Sequence, residues 1–473
     1  MRWTLKPQPE KEKVEKLAKE LQVNSAIASI LCQRNIETFE AAKNYFRPNL
    51  EQIHDPFLMK DMDVAVSRIE TAIANNENIL IYGDYDVDGT TAVSLVSSYL
   101  KTIYSNIATY IPDRYAEGYG VSYKGIDFAY DNDFSLIIAL DCGIKAIEKV
   151  AYATKKNIDF IICDHHKPGP EIPKAIAVLN AKRNDCTYPF DELCGCGVGF
   201  KLIQALGVSR HKTIEDFLPY LDLVATAIAA DIVPMNGENR VLAYYGLEVI
   251  NQYPCNGIKA IIQQTKKTEL TITDVVFTIA PRINAAGRMK HGNYAVELLT
   301  EMDFDAAAEF AASIEIFNAD RKELDKKITD EAIIQIIDNE EEKGFSTVVY
   351  QEDWHKGVIG IVASRLIEKY YRPTLVFTKS GEMLAASARS VKGFDVYNAL
   401  QECEEFIEQF GGHKYAAGLT LRPENYTNFK NKFEEVVERT IDTKLLTPEI
   451  SVDAAIDFSE ITPKFFRIIQ QMA

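Results

Sequence analysis

Three short apolar runs in the first half of the chain each stop at an aspartate: NILIYGD at Asp84, SLIIALD at Asp141 and NIDFIICD at Asp164. Longer segments with apolar residues spaced near 3.6, such as GTTAVSLVSSYLKTIY, lie between them. Strands that alternate with helices imply an α/β domain with a largely parallel sheet. Ligands of such sheets sit outside the carboxyl ends of the strands. The three aspartates are therefore expected to converge on one edge.

The first run leads into IYGDYDVDGTT, with Asp84, Asp86 and Asp88 at alternate positions before Gly89. A calcium loop of the EF-hand kind begins in the same way, but it needs a bidentate Glu at position twelve, which here is Leu95. It also needs a helix in front, where this chain has a strand-like run. A fourth acidic element is LDLVATAIAADIVPM, read as a helix that delivers Asp231 just before Pro234 stops it. After Asp164 come His165 and His166, an adjacent pair in a chain with only seven histidines.

A single aspartate at a strand end reads most simply as a helix cap or a turn residue. Six aspartates and two histidines on one edge do not. Left alone they would repel one another and raise the carboxylate pKa values, and a pair of divalent ions removes that difficulty. Carboxylates with one or two imidazoles suit manganese or magnesium, manganese the more because of the histidines. A structural zinc site would close with Cys or His instead. Two ions about 3.5–4 Å apart are the usual device for in-line phosphodiester cleavage. Gly89 lets the backbone turn, and the helix that follows favours an anion at its N-terminus.

The rest of the chain sets bounds on this reading. Its 473 residues suffice for two or three domains. No apolar stretch reaches membrane-spanning length, and the N-terminus has no signal-peptide core. Eight scattered cysteines suggest no disulfide framework, so a reduced, cytoplasmic protein is expected. Cys194 and Cys196 in LCGCGVGFK lack a second ligand pair and read as small buried thiols in a glycine-rich turn. The formal charge of −17 weighs against coating nucleic acid by bulk electrostatics, though not against a locally basic channel.

From about Asp303 to Asp338 the pattern is one long helix, with Phe310, Ile314, Phe317, Leu324 and Ile328 on a packing stripe. It is expected to join two domains. A second strand–helix unit begins at TVVYQEDWHKGVIGIVASRL. The expected division is an N-terminal helical segment (1–45), a catalytic domain (46–245), a connecting region with the long helix (246–344), a smaller α/β domain (345–442) and a short remainder (443–473).

The motifs GDYDVDGTT, ALDCGI, CDHHKPG and AADIVPM resemble, in order, the four motifs of the DHH phosphoesterase superfamily. PRINAAGRM, WHKGVIGIVASRL, SARSVKGFDVYNAL and FGGHKYAAGL are further similar to its RecJ branch, exonucleases specific for single-stranded DNA. The resemblance covers about residues 45 to 440. It implies a DHH domain joined by a long helix to a smaller DHH-associated domain, with hydrolysis from the 5′ end that releases 5′-mononucleotides in DNA repair and recombination. It also implies that Asp86, Asp88, Asp141, His165 and Asp231 bind manganese or magnesium, with Asp141 as bridge. Asp84 would be a ligand or support one. His166 would lie near the scissile phosphate and Asp164 would orient a histidine. A single-strand-binding protein and a helicase are implied partners, and a monomer is expected. RecJ proteins continue into an oligonucleotide-binding (OB) barrel, so 443–473 is expected to be the start of one. A chain that ended there would bind DNA more weakly and with greater salt sensitivity.

The remaining motifs suggest a substrate path. Arg282 and Arg288 flank a small-residue turn and suit a phosphate backbone. His413 follows two glycines whose amides could hold a terminal 5′-phosphate, and Ser387, Arg389 and Ser390 offer donors for the same group. His355 and Lys356 are expected polar contacts, whereas Trp354 reads equally as a base-stacking or a core residue. Arg365 reads equally as a salt bridge or a phosphate contact, and Arg321, on the long helix, as a snorkelling surface residue or, by preference, a phosphate contact in the cleft. Two other readings stay open. One is a short-oligonucleotide nuclease that also dephosphorylates 3′-phosphoadenosine 5′-phosphate; the other is an inactive DNA-binding relative. A pyrophosphatase would carry histidine where this chain has Tyr82.

Overall fold

The first strand, β1 (Arg2–Leu5), pairs outside the main sheet, which is built from the five runs that follow. These are β2 (Asn78–Gly83), β3 (Ile107–Tyr110), β4 (Phe134–Leu140), β5 (Asp159–Cys163) and β6 (Ala177–Leu179). They lie in the order β3-β2-β4-β5-β6 with every pairing parallel. The chain leaves β2 for one neighbour, β3, and then crosses to the other, β4. The switch point therefore falls between β2 and β4, where a doubly wound sheet opens a ligand crevice.

Alternate residues of each strand feed two cores. Ile79, Ile81, Leu136, Ile138, Leu140 and Ile161 pack on one face, and Leu80, Tyr82, Ile137, Phe160 and Ile162 on the other. Burial on both faces explains why these runs are continuously apolar instead of alternating. A fully buried aliphatic side chain contributes roughly 1.5–3 kcal/mol relative to an exposed one, so the strand ends rest on a stiff frame.

This computed structural model describes residues 1–265 and 267–472. It divides into two units: one holds Thr38–Asn318 with the chain end from Ile469, the other Met1–Glu37 with Ala319–Ile468. The long helix, Phe304–Asp338, runs from the first unit into the second as expected. Its stripe is packing in both: Ile314 is buried with Phe310 and Phe317 against one core, and Ile328 is buried with Leu324 against another. Among the described residues no helix is long and apolar enough to cross a membrane.

The second unit holds a five-stranded sheet of β7 (Thr347–Tyr350), β8 (Thr374–Ser380), β9 (Met383–Arg389), β10 (Gln409–His413) and β11 (Ala416–Leu421). Its order is β10-β11-β9-β8-β7, with only β7 and β8 parallel, the helix Ile359–Tyr370 lying between those two in sequence. Val348, Leu375 and Phe377 face one core, Val349 and Val376 the other. The N-terminal stretch is helical at Lys11–Leu21, Ser25–Gln33 and Phe39–Phe46 but begins with β1. The segment 443–473 supplies β12 (Glu449–Val452), paired in parallel with β1, and the helix Pro463–Gln471.

Candidate metal centre

The carboxyl ends of β2, β4 and β5 carry Asp84, Asp141 and Asp164, and all three are buried. Asp86 caps the helix Val87–Lys101, its Oδ1 accepting the Gly89 amide at 3.0 Å. A Cβ at Gly89 would stand 2.4 Å from the Asp84 carbonyl oxygen, so only glycine lets this turn close. Asp88, the second residue of that helix, points at another helix, Gly195–Val208. Its two oxygens accept the first amides there, Gly195 N–H at 2.6 Å and Cys196 N–H at 2.7 Å. Asp141 has φ of 57°, a left-handed conformation that aspartate tolerates better than most residues. The helix Leu221–Asp231 delivers Asp231, as its sequence suggested.

His165 stands at the meeting point. Its Nε2 lies 3.2 Å from Asp141 Oδ1, 3.7 Å from Asp88 Oδ2 and 3.7 Å from Asp231 Oδ2. Two three-residue groups have ligand atoms close enough to share an ion: Asp141, His165 and His166, and Asp88, His165 and Asp231. Asp86 falls in neither, its Oδ1 being engaged in the cap. His166, expected beside the phosphate, stands among these donors. Asp164 holds it: Oδ1 lies 2.8 Å from His166 Nδ1 and accepts the His166 amide at 3.0 Å, while Oδ2 accepts the Ile144 amide at 2.9 Å.

Burial raises the pKa of Asp141, and the neighbouring charges of Asp88, Asp86, Asp164 and Asp84 raise it further. Asp88 is raised by burial and by Asp231 and Asp86, against the two amides that favour its charge. Burial and Asp86 likewise raise Asp84 and Asp231. Burial is the largest influence on Asp164 and would raise it, but the hydrogen bond and charge of His166 together with the His166 and Ile144 amides outweigh it and leave this carboxyl low. His165 is pushed down to about 4, by burial and by His166, so its ring is neutral near pH 7 and fit to ligate. The donors also have unspent capacity. Asp141 Oδ1 and Asp84 Oδ2 are buried with no hydrogen-bond partner, although the former lies 3.2 Å from His165 Nε2. Hard oxygen donors, a neutral imidazole and unneutralised negative charge fit a divalent cation such as manganese or magnesium.

Sequence reasoning missed part of the setting. LCGCGVGFK was read as a turn around buried thiols. Both thiols are buried, but the segment opens a helix, with Cys194 Sγ accepting the Gly197 amide at 3.3 Å and the next amides serving Asp88. Tyr119, also unforeseen, places its hydroxyl 3.2 Å from His166 Nε2.

Arg282 and Arg288 lie on the helix Ala280–Met289 of the same unit. Arg282 is occupied, with Nε 2.6 Å from Glu315 and NH1 donating to the Thr278 carbonyl at 2.7 Å. This helix abuts the aspartate loop, since a Cβ at Gly287 would stand 2.5 Å from the Tyr85 carbonyl oxygen. The other expected contacts are in the second unit. Ser387 and Arg389 sit two apart on β9, and NH1 of Arg389 donates to Ser387 Oγ at 3.1 Å. Register aligns His413, Ala416 and Arg389 in one row, and Gly411, Gly418 and Ser387 in the next. Directly opposed residues share a face, so His413, Ser387 and Arg389 stand around a floor of glycine and alanine. Gly360 adjoins it, its Cβ position 2.9 Å from Ser387 Oγ and 3.1 Å from Arg389 NH2.

The remaining side chains are engaged elsewhere in that unit. Ser390 Oγ donates to the Phe394 carbonyl at 3.0 Å, Lys356 Nζ to Ser380 Oγ at 3.1 Å, and His355 Nδ1 accepts the Gly357 amide at 3.1 Å. Arg365 Nε reaches both oxygens of buried Asp325, at 2.7 and 2.8 Å, the salt bridge that competed with phosphate binding. Arg321 lies 4.0 Å from the same carboxylate. Trp354 belongs to the core, with Nε1 donating to Glu331 at 2.8 Å.

Residues 78–228 match the DHH family, N-terminal domain, and residues 322–439 match the DHHA1 domain. The chain is 38% identical over 98% of its length to the single-stranded-DNA-specific exonuclease RecJ of Bacillus subtilis, of which it spans 58%. It is 32% identical over 89% of its length to the RecJ of Haemophilus influenzae, spanning 77% of that protein. Among solved structures, RecJ of Thermus thermophilus in complex with Mn2+ superposes over the whole chain and 67% of its own, with TM-score 0.86 and 25% identity. An exonuclease RecJ bound to manganese matches 81% of the chain and 96% of its own, with TM-score 0.72 and 29% identity. The order of the aspartate motifs, the parallel sheet that aligns them and the identity to full-length relatives agree, and the chain belongs to the RecJ family.

Proposed function

We propose that this chain is a metal-dependent exonuclease that degrades single-stranded DNA from the 5′ end and releases 5′-mononucleotides, in the cytoplasm, during repair and recombination. The observation that carries the reading is Asp141 Oδ1, a buried carboxylate oxygen without a hydrogen-bond donor, beside a histidine that also approaches Asp88 and Asp231. Asp86, Asp88, Asp141, His165 and Asp231 would hold two manganese or magnesium ions, with His166 beside the scissile phosphate. Bound there, such ions supply Lewis-acid polarisation of water and phosphoryl oxygen and offset the charge of an in-line displacement. Asp164 fixes His166 through Nδ1. Asp88 is held by two helix amides, and Asp84 backs the cluster from below.

Ser387, Arg389 and His413 would take a terminal 5′-phosphate on the open floor they share. The Arg389 guanidinium is suited to it, since burial disfavours its charge and an anion would restore the balance. Preference for a terminal phosphate gives an exonuclease its polarity. The chain would act as a monomer on DNA presented by a helicase or a single-strand-binding protein.

The test uses 5′-phosphorylated, 3′-labelled single-stranded DNA with manganese, magnesium or chelator, and a dinucleotide in parallel. Stepwise shortening from the 5′ end that requires metal and is abolished by Asp141→Ala is expected. Cleavage of the dinucleotide alone would replace this reading with a short-oligonucleotide phosphoesterase.

A further inference from the structure

We propose that Tyr119 is a positioning residue for His166, its hydroxyl fixing the edge of the imidazole opposite the one that Asp164 holds. The inference rests on reading the aspartate–histidine cluster as the nuclease centre. Asp164 Oδ1 stands 2.8 Å from Nδ1 and the Tyr119 hydroxyl 3.2 Å from Nε2, so the ring is gripped at both nitrogens. One partner at Nδ1 sets which nitrogen faces inward but leaves the ring free to tilt about that contact. A second at Nε2 removes the tilt. A hydroxyl can donate to a neutral imidazole or accept from a charged one, so it holds the ring in either state.

The loop that presents Tyr119 is built as a rigid bracket. Glu117 organises it from within, its carboxylate accepting the Asp113 amide at 2.9 Å, the Tyr110 hydroxyl at 3.0 Å and the Ser122 hydroxyl at 2.6 Å. Gly118 and Gly120 take φ of 84° and 77°, so the chain turns sharply on both sides of the tyrosine. The Gly120 amide reaches Asp84 Oδ1 at 3.4 Å, which ties the bracket to the first aspartate. The Tyr119 ring lies edge-on to His166 at 6.0 Å and to Tyr85 at 6.2 Å, yet 53% of the residue is exposed. Hydrophobic burial therefore does not account for its place, whereas the hydroxyl does, with His166 Nε2 at 3.2 Å and the Asp141 carbonyl as a longer second partner at 3.5 Å.

Tyr119→Phe removes the hydroxyl and keeps the ring. Loss of a contact that orients a site histidine is expected to lower kcat by about 10–100-fold, with KM for single-stranded DNA and manganese affinity within about twofold of the parent. Placed on His166→Gln, the same change is expected to cost nothing more, because the group it acts through is gone. A readout free of turnover is the nitrogen-15 spectrum of histidine-labelled protein, with His166 assigned by its loss in His166→Gln. Its signals are expected to move in Tyr119→Phe while those of His413 do not. Parental kcat in Tyr119→Phe, equal losses in both backgrounds, a rise in KM alone, or an unmoved His166 signal would each overturn the proposal. Should the parent chain cleave no phosphodiester, the nuclease reading fails, and the spectra still decide whether Tyr119 orients His166.

Discussion

Gly195→Ala probes the centre through a residue that offers no ligand of its own. A Cβ there would stand 2.5 Å from Asp141 Cβ, 2.8 Å from its Cα and 2.7 Å from its Oδ1, where ordinary contact begins at 3.4 Å. The helix start and the strand end therefore have to part by about 0.9 Å, and misplacement on that scale costs on the order of 100-fold in rate. If the strand end yields, Asp141 moves. If the helix yields, it withdraws the amides that hold Asp88 at 2.6 and 2.7 Å. Either way a proposed ligand loses its support, and manganese affinity is expected to fall by about 10–100-fold. In free energy that is about 1.4–2.7 kcal/mol. Calorimetric titration with manganese, paired with thermal unfolding in the presence and absence of the ion, reads the effect. Gly197→Ala is the control on the same helix, since its Cβ meets Leu193 at 3.4 Å, an ordinary contact. It is expected to bind manganese as the parent does and to gain up to about 1 kcal/mol from helix propensity. Parental affinity and rate in Gly195→Ala would refute the claim that this close approach sets the geometry of Asp141 and Asp88.

Three further outcomes follow from buried or strained groups. Asp84, Asp88, Asp141 and Asp231 have folded-state pKa values raised first by burial and then by one another, so the folded protein holds more protons than the unfolded chain between the two values. With chelator present, stability should therefore fall as pH rises from about 5 to about 8, and manganese should oppose the fall; a flat profile of melting temperature in chelator would contradict this. Lys201 Nζ sits 2.9 Å from Glu238 Oε1 with neither side chain exposed, and Glu238 also accepts the Tyr188 hydroxyl at 2.6 Å. Lys201→Met strands that carboxylate and should cost about 3–5 kcal/mol in urea unfolding, part of it recovered by adding Glu238→Leu; a loss below about 1 kcal/mol would show the pair to be dispensable. Ile232 ends the helix that carries Asp231 at φ of 57° while 80% exposed. Ile232→Gly should stabilise by about 0.5–1 kcal/mol, because relief of left-handed strain exceeds the entropy glycine adds to the unfolded chain, and a lower melting temperature would mean the side chain has a contact worth the strain.

The parts of this architecture visible in the sequence are those set by local pattern. β2, β4 and β5 are runs of five to seven residues, each ended by an aspartate, and a parallel sheet then brings those ends together. β3 and β6, of four and three residues, are too short to leave a periodic signal. The pairing of Asp88 with Gly195 and Cys196 spans 107 and 108 residues, and no spacing rule reaches that far. The arginines illustrate a second limit. Arg282 reads as a phosphate contact beside a small-residue turn, and Arg365 equally as a phosphate contact or a salt bridge, while Glu315 and Asp325, which engage them, lie on the long helix, whose clearest signal is its apolar stripe. A charge pattern on one element does not disclose which acids another element will bring to it.

Counting the lone pairs left on each carboxylate separates roles that residue type alone leaves merged. A carboxylate offers about four acceptor sites. Asp164 spends Oδ1 on the backbone and ring of His166 and Oδ2 on the Ile144 amide, so it has least to give a cation and is best placed to orient. Asp88 accepts one amide on each oxygen and keeps a site on both, which suits a ligand that must also be held still. Asp84 has a long contact from the Gly120 amide at 3.4 Å and one buried oxygen without a hydrogen-bond partner. Asp141 is the extreme case: its Oδ1 is buried without a donor while four other aspartates raise its pKa, so it gains most from a cation. His165 is the residue the two three-residue groups have in common, and Asp141, 3.2 Å from its Nε2 against 3.7 Å for Asp88 and Asp231, is the carboxylate nearest that shared ring.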